Sequence, residues 1–281
     1  MPELPEVETV RRTLEPVVVG QTIERCEIYY ERVLPHARSS EFCGSVANRT
    51  ITGVGRRGKY LIFALDRELD LVVHLRMTGQ LIYQPTRELP LPKHVSARFW
   101  FLDNGELRFV DQRKFGTIYL VARDDYSEIH GLYTLGPEPL SSEFIWKVLA
   151  AGVQSMRAIK AVLLDQTKIA GLGNIYADEV LHRAGIHPLK PGCLLTESEI
   201  KILHKSIVSV LNEAIACHGT TIRDYRTGSG DTGNFQNQLQ VYRQTGKPCG
   251  KCGVLIERIK AGGRSTHFCP RCQRWDPECT D

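Results

Sequence analysis

Four cysteines carry the clearest chemistry in the chain. Cys249-x-x-Cys252 is followed, after sixteen residues, by Cys269-x-x-Cys272. Two such pairs at this distance have the spacing of a four-thiolate zinc site. Each pair turns tightly enough to present two sulfurs, and four thiolates complete a tetrahedron with no open position. The cofactor implied is one structural Zn2+, supporting a segment too short to build its own core. Disulfides or free thiols are the alternative, and His267 is a superfluous further donor. Between the pairs, "GVLIERIKAGGRSTHF" reads as strand, Gly-rich turn, strand: a zinc ribbon with Arg264 at or near its tip. An arginine there is either solvated or held out rigidly to a phosphate.

The opening, "MPELPEVETVRR", raises a different question. Pro5 suits the first helical position, where its missing N–H costs nothing. Glu6 and Glu8 then fall in the first turn, where the helix dipole favours negative charge. Val7, Val10 and Leu14 make an apolar stripe, so a short amphipathic helix is expected from about 5 to 15. Pro2 and Glu3 are left over. Either they belong to an ordinary cap, or the terminus itself is a chemical group in use.

A third stretch, "DQTKIAGLGNIYADEV", joins two helices through Gly171, Gly173 and Asn174, with Asn174 read as the N-cap. The free N–H groups and positive dipole end of a helix start can hold a phosphate. Lys160 and Lys168 lie nearby in sequence. On this stretch alone, a capped turn without a ligand is the favoured reading.

These groups need a scaffold, and the chain changes character along its length. From about 20 to 135, short β-branched and aromatic runs such as "KYLIFAL" and "ARFWFLDNGELRFVD" predict strands, with "DNG" as a hairpin turn. Several strands at close spacing suggest a sandwich or barrel. "LGPEPLSSEF" reads as a boundary, after which the periodicity is helical. Thr196 and Glu199 form a capping box before an apolar face of Ile200, Leu203, Ile207, Val210 and Leu211, with Gly219 as the stop. "SMRAIKAVLLDQ" and "NIYADEVLHRAG" predict shorter helices, and the Gly-rich run 226–234 a mobile loop or linker.

Composition narrows the class. The 281 residues suffice for two domains and an appendage, and 42% hydrophobic with 24% charged residues is ordinary for a globular protein. No apolar run approaches the ~18 residues of a membrane span. No secretory signal is visible, so a cytoplasmic protein is expected. The net charge of +4 is mild, but basic residues cluster in "VGRRGKY", "DQRKFG" and from Lys247 to Arg274, which keeps a polyanion in view. Five scattered cysteines, Cys26, Cys43, Cys193, Cys217 and Cys279, are expected to be reduced and mostly buried thiols.

Taken in order, "MPELPEVETVRR", "GRRGKY", "HLRMTGQL", "DQRKFG", "LGPEPL", "GLGNIYADEVL" and "GGRSTHFCPRCQ" resemble the bacterial formamidopyrimidine-DNA glycosylases over the whole chain. The resemblance implies an α+β protein. Residues 1–135 would be an N-terminal β-sandwich catalytic domain, 136–150 a linker, and 151–225 a helix–two-turn–helix DNA-binding domain. Residues 226–242 would form a lesion-recognition loop and linker, and 243–281 a zinc-ribbon finger. It implies a monomer that acts on damaged double-stranded DNA in the bacterial cytoplasm, associated with the nucleoid through DNA.

The same resemblance assigns residues. Pro2, freed by removal of Met1, is the nucleophile, and Glu3 the general acid/base. Glu6 orients the terminus or merely caps the helix. Lys59 is a second essential amine, and Arg264 grips phosphates and is linked to δ-elimination. Met77, Arg113 and Phe115 fill the space of the extruded base, although Met77 and Phe115 also suit a core. Lys160 and Asn174 match phosphate-binding positions, with His94 and Lys114 as further backbone contacts. Lys114 stands where some relatives have arginine. Endonuclease VIII, a sister branch that prefers oxidised pyrimidines, is the nearest rival. The Glu-Leu-Pro after Pro2 and the Met77/Arg113/Phe115 set favour the purine branch. A non-catalytic DNA-binding protein with this fold is opposed by the presence of Pro2, Glu3 and Lys59 together.

Overall fold

Residues 23–122 supply eight strands. These are β1 (Ile23–Ile28), β2 (Ile51–Arg57), β3 (Tyr60–Leu65), β4 (Leu69–His74), β5 (Gly79–Gln84), β6 (Val95–Phe101), β7 (Glu106–Asp111) and β8 (Thr117–Ala122), of which β4 and β7 are buried along almost their whole length. They pair antiparallel in two four-stranded sheets, ordered β1-β6-β7-β5 and β2-β3-β4-β8. The computed structural model describes residues 1–276, so Cys279 and its neighbours lie outside the described residues.

The inward residues of both sheets, including Leu61, Phe63, Val73, Leu81, Phe99 and Phe109, share one core with two helices. Helix α1 (Leu4–Val18) contributes Val7, Val10, Leu14 and Val18, and α2 (Ser39–Val46) contributes Phe42 and Val46. Full burial of each such side chain is worth about 1.5–3 kcal/mol. Helix α1 starts one residue earlier than its apolar stripe implies and ends three later. Pro5 therefore takes the second helical position, and Glu3 is the N-cap.

The strand-rich reading passes over α2, and with it a covalent link. Cys26 on β1 and Cys43 on α2 form a disulfide with Cα atoms 5.3 Å apart. This corrects the expectation of reduced thiols at both positions, because packing α2 on β1 brings together cysteines 17 residues apart. Closing a loop of that length stabilises by about 3 kcal/mol in the chain-entropy account. Cys193 and Cys217 take no part in a disulfide and are half-buried.

The chain divides into two units, which do not follow the linear partition. Residues 1–133, including α3 (His130–Tyr133), join with 215–236 in the first unit. The Gly-rich stretch belongs there because it is tied to the sandwich. Gly228 N–H donates to Thr13 Oγ1 at 2.9 Å, and Gly228 C=O accepts from Tyr83 N–H at 2.9 Å. A Cβ on Gly228 would lie 2.6 Å from Leu14 Cγ, so only glycine allows this approach to α1.

The second unit holds residues 134–214 and the chain from Asn237 onward. Helix α4 (Trp146–Val153) replaces the end of the expected linker, α5 (Ile159–Leu163) is little more than one turn, and α6 spans Asn174–Ala184. Gly173 is the N-cap of α6 and Asn174 its first residue, which corrects the reading of Asn174 as the cap. Gly185, at φ +70°, closes α6 in the left-handed conformation that favours glycine. Helix α7 (Glu197–Ala216) opens on the Thr196–Glu199 box, with bonds of 2.8 and 3.2 Å, and buries Ile200, Leu203, Ile207, Val210 and Leu211. Strands β9 (Glu257–Ala261) and β10 (Arg264–Phe268) form the ribbon hairpin, and β10 packs on α6. Among the described residues, no helix is long and apolar enough to cross a membrane.

Candidate active site and nucleic-acid interface

Met1 is exposed, whereas Pro2 and Glu3 are buried at the head of α1. One carboxylate fixes this head. Glu6 Oε2 accepts the Glu3 backbone N–H at 2.8 Å, and Glu6 Oε1 accepts that of Thr220 at 2.7 Å. The turn that delivers Thr220 depends on Gly219, at φ +77°, where a Cβ would fall 2.9 Å from Glu6 Oε1. The Tyr225 hydroxyl also reaches Glu6 C=O at 3.3 Å. Burial and the Glu6 charge push that phenol well above its ordinary range, so it stays a proton donor.

A second carboxylate connects the helix to the β2–β3 hairpin. Glu8 accepts from Arg11, from Arg12 at 2.8 Å and from Arg56 of β2 at 3.1 Å. Burial opposes its ionisation, but bonds from Arg11 and Arg12 and the charges of Arg11 and Arg56 hold its pKa down at about 2. Arg56 Nη1 also donates to Gly58 C=O at 2.9 Å, at the hairpin turn itself. Gly58, at φ +56°, occupies the first position of this two-residue turn, and Lys59 the second. The Lys59 side chain is buried.

Opposite the hairpin, Tyr60 pairs with His74, and their rings meet edge to face at 4.4 Å. His74 Nδ1 accepts the Arg76 backbone N–H at 2.9 Å. Burial, then the positive charges of Arg76 and Lys59, lower the His74 pKa to about 3, so the imidazole is neutral.

The loops after β4 and β7 bring three more predicted residues together. Met77 and Phe115 are 40% and 52% exposed, which removes the core reading for both. Arg113 Nη1 lies 2.9 Å from Met77 Sδ, and its Cζ is 4.8 Å from the Phe115 ring centroid. Cation–π and polar–thioether contacts thus join the three into one projecting group. His94 and Lys114 are exposed at φ +68° and +57°, and the Lys114 ammonium sits 4.7 Å over the Tyr30 ring.

In the second unit, Gly262 and Gly263 make the ribbon turn at φ +56° and +75°, and exposed Arg264 follows as the first residue of β10. The strand behind Arg264 is clamped to the helices. Lys160 Nζ pairs with Asp178 Oδ1 at 2.6 Å and donates to Ser265 C=O and Thr266 Oγ1. Asn174 Nδ2 donates to Ser265 C=O at 3.0 Å, and Asp178 Oδ2 accepts the His267 N–H at 3.0 Å. Lys160 is 0% exposed, so the expectation of a phosphate contact there is corrected. Its ammonium is enclosed by ribbon and helix acceptors, and a phosphate has no access to it.

The four cysteine sulfurs lie within 4.8 Å of one another. Cys249 and Cys272 are 3.9 Å apart, and Cys252 and Cys269 3.4 Å. Four Zn–S bonds near 2.3 Å require sulfur separations of about 3.8 Å, so the set fits one tetrahedral zinc. His182 Nε2 of α6 stands 3.5 Å from Cys249 Sγ, while His267 turns to Asp178 at 2.9 Å rather than to the metal.

Sequence reasoning missed Glu8, Arg56 and Asp178 as positioning groups. A signal existed for Asp178, since α6 is buried from Ile175 to His182 and any acid on it needs partners. Its neighbour Glu179 finds them in the backbone N–H groups of Gln240, Val241 and Tyr242, at 2.8–3.0 Å.

The arrangement defines a class: a β-sandwich headed by a buried Pro2–Glu3 pair, with a helix–two-turn–helix unit that carries a four-cysteine zinc ribbon. Three family models match in order. They are the formamidopyrimidine-DNA glycosylase N-terminal domain over residues 1–118, its H2TH domain over 135–226, and a zinc finger found in FPG and IleRS over 246–274. The chain is 47% identical over 276 residues to the formamidopyrimidine-DNA glycosylase of Geobacillus kaustophilus, covering 98% of this chain and 100% of that one. It is 46% identical over 275 residues to that of Pelotomaculum thermopropionicum, covering 98% and 99%. A Lactococcus lactis Fpg in complex with abasic-site DNA superimposes with a TM-score of 0.90 at 44% identity, over 97% of this chain and 100% of that one. The same enzyme with Fapy-dG-containing DNA gives 0.89 at 44% identity, over 97% and 100%. The chain belongs to the formamidopyrimidine-DNA glycosylase family.

Proposed function

We propose that this chain removes oxidised purines, 8-oxoguanine and formamidopyrimidines, from duplex DNA and then cuts the strand, with Pro2 as its nucleophile. The family is one of DNA glycosylases with AP lyase activity. The observation that carries the residue assignment is the doubly held Glu6 carboxylate, which fixes Pro2 and Glu3 at the head of α1. The substrate reading is supported by the Lactococcus lactis relative, whose complexes hold abasic-site DNA and Fapy-dG DNA.

Once Met1 is removed, Pro2 carries a secondary amine. A terminal amine titrates near ~8, so a useful neutral fraction exists at neutral pH. Its lone pair attacks C1′ of the damaged nucleoside, and the glycosidic bond breaks with its electrons leaving on the base. Glu3 supplies protons to the departing base and to the opening sugar ring. The resulting iminium is an electron sink. Loss of a C2′ proton then expels the 3′ phosphate, with Lys59 as the amine that serves proton transfer. A second elimination, assisted by Arg264, expels the 5′ phosphate and leaves a one-nucleoside gap with phosphates at both ends. The zinc takes no part in these steps and holds the Arg264 hairpin in shape.

The damaged base must leave the stack before C1′ can be reached. Met77 and Phe115 enter the vacated space, and the Arg113 guanidinium hydrogen-bonds the orphaned cytosine. Asn174, His94 and Lys114 contact the backbone, and one chain supplies all these groups, in keeping with a monomer. Duplex binding would hold the protein on the bacterial nucleoid.

Cleavage of duplexes carrying 8-oxoguanine opposite cytosine or thymine glycol, measured side by side, tests the substrate assignment. Preference for 8-oxoguanine is expected. Strong preference for thymine glycol would place the chain with the endonuclease VIII type instead.

A further inference from the structure

The projecting group of Met77, Arg113 and Phe115 stands on two loops that one buried carboxylate holds together. Asp111, at the end of β7, is 1% exposed. Its Oδ2 accepts the backbone N–H groups of Phe115 and Gly116 at 2.8 and 2.7 Å. Its Oδ1 accepts the Arg113 N–H at 3.2 Å and the Thr78 hydroxyl at 2.5 Å. Thr78 Oγ1 closes the knot by accepting the same Arg113 N–H at 3.0 Å. Asp111 N–H in turn donates to His94 C=O at 2.9 Å, at the end of the loop before β6.

Two glycines let the loops come this close. Asp111 lies directly opposite Gly79 across the β5–β7 ladder, and a Cβ on Gly79 would sit 2.4 Å from Leu75 C=O. A Cβ on Gly116 would sit 2.4 Å from the Phe109 ring. The loop after β4 projects Met77, and the loop that starts from Asp111 projects Arg113 and Phe115.

We propose that Asp111 is a positioning residue for strand insertion: its carboxylate, bridged by Thr78, sets the relative placement of Met77, Arg113 and Phe115. This rests on the reading of those three as the inserted set. A carboxylate suits the position because four donors converge on it, and an ionised acid offers only acceptors. An amide at the same place turns an N–H pair toward backbone N–H groups and breaks the knot from one side.

The test compares two duplexes on the zinc-bound, Met1-processed enzyme. One carries 8-oxoguanine opposite cytosine, and the other a ready-made abasic site, which demands less of insertion because no base has to be extruded. Pyrrolocytosine fluorescence opposite the lesion reports insertion directly. Asp111→Asn and Thr78→Val are expected to slow lesion excision about 10- to 100-fold, the usual cost of a small misplacement. They are also expected to suppress the fluorescence rise, while abasic-site cleavage falls far less. Thr78→Ser, which keeps the hydroxyl, should restore both excision and fluorescence toward wild type. Unchanged excision and fluorescence in folded Asp111→Asn would overturn the proposal, as would equal losses on both duplexes. If Asp111→Asn does not fold, Thr78→Val decides by the same criteria. A wild-type enzyme inactive on both duplexes would refute the glycosylase reading instead.

Discussion

The Glu6 carboxylate accepts the backbone N–H of Thr220, 214 residues away, at 2.7 Å, while its second oxygen holds the N–H of Glu3 at 2.8 Å. A single side chain therefore closes the 219–220 turn onto the helix head that carries Pro2.

Glu6→Gln keeps the size but turns an N–H pair toward one of these two donors. Stability should fall by about 1–3 kcal/mol for the buried N–H left unmatched. Cleavage of both lesion and abasic-site duplexes should slow together, because the amine common to both reactions loses its mount. Thermal denaturation and single-turnover cleavage check the two parts separately.

Lys160 and Arg264 should separate cleanly in salt. Removing a cation that neutralises one phosphate lowers the slope of log affinity against log salt by about 0.9. Arg264→Ala should show that drop with an unchanged melting temperature. Lys160→Met should leave the slope alone and lose about 3–5 kcal/mol of stability, since it strands Asp178 without its buried partner. DNA affinity measured across a salt series, with denaturant titration of each variant, tells them apart.

One zinc per chain is expected by native mass spectrometry. Removing it with a chelator should disorder the β9–β10 hairpin and weaken DNA binding, because the four sulfurs are the centre of the ribbon's small core. His182→Phe deletes the ring nitrogen 3.5 Å from Cys249 and should speed zinc loss to a chromogenic chelator.

Acid should destabilise the protein in two stages. His74 has a folded pKa of about 3 against 6.5 when unpaired, so between these values the unfolded chain binds a proton that the folded chain refuses. Stability therefore falls as pH drops from 6.5 toward 3. Glu8, held at about 2 against 4.5, adds a further loss below pH 4.5. Denaturant midpoints measured against pH should show a shallower decline for His74→Gln between pH 6.5 and 4.5.

Features written in short-range pattern were legible in the sequence. The capping box at Thr196, the ribbon between its cysteine pairs and the apolar face of α7 all depend on residues a few positions apart. What escaped depends on distant packing. Cys26 meets Cys43 only because α2 lies on β1, and Lys160 becomes enclosed only because β10 docks on α6. Glutamate is not a favoured N-cap residue, yet Glu3 caps α1 because Glu6 supplies the reciprocal bond. The family resemblance reached Pro2, Lys59 and Arg264, which touch substrate in the proposed chemistry. It did not reach Glu8, Asp111 or Asp178, which touch only this protein.

The most direct test of the central claim is borohydride trapping of the Met1-processed enzyme on 8-oxoguanine duplex, followed by peptide mapping of the adduct. One covalent link is expected, on the nitrogen of Pro2, and none when Met1 is retained. An adduct on Lys59, or no adduct from enzyme shown to bind the duplex, would contradict it.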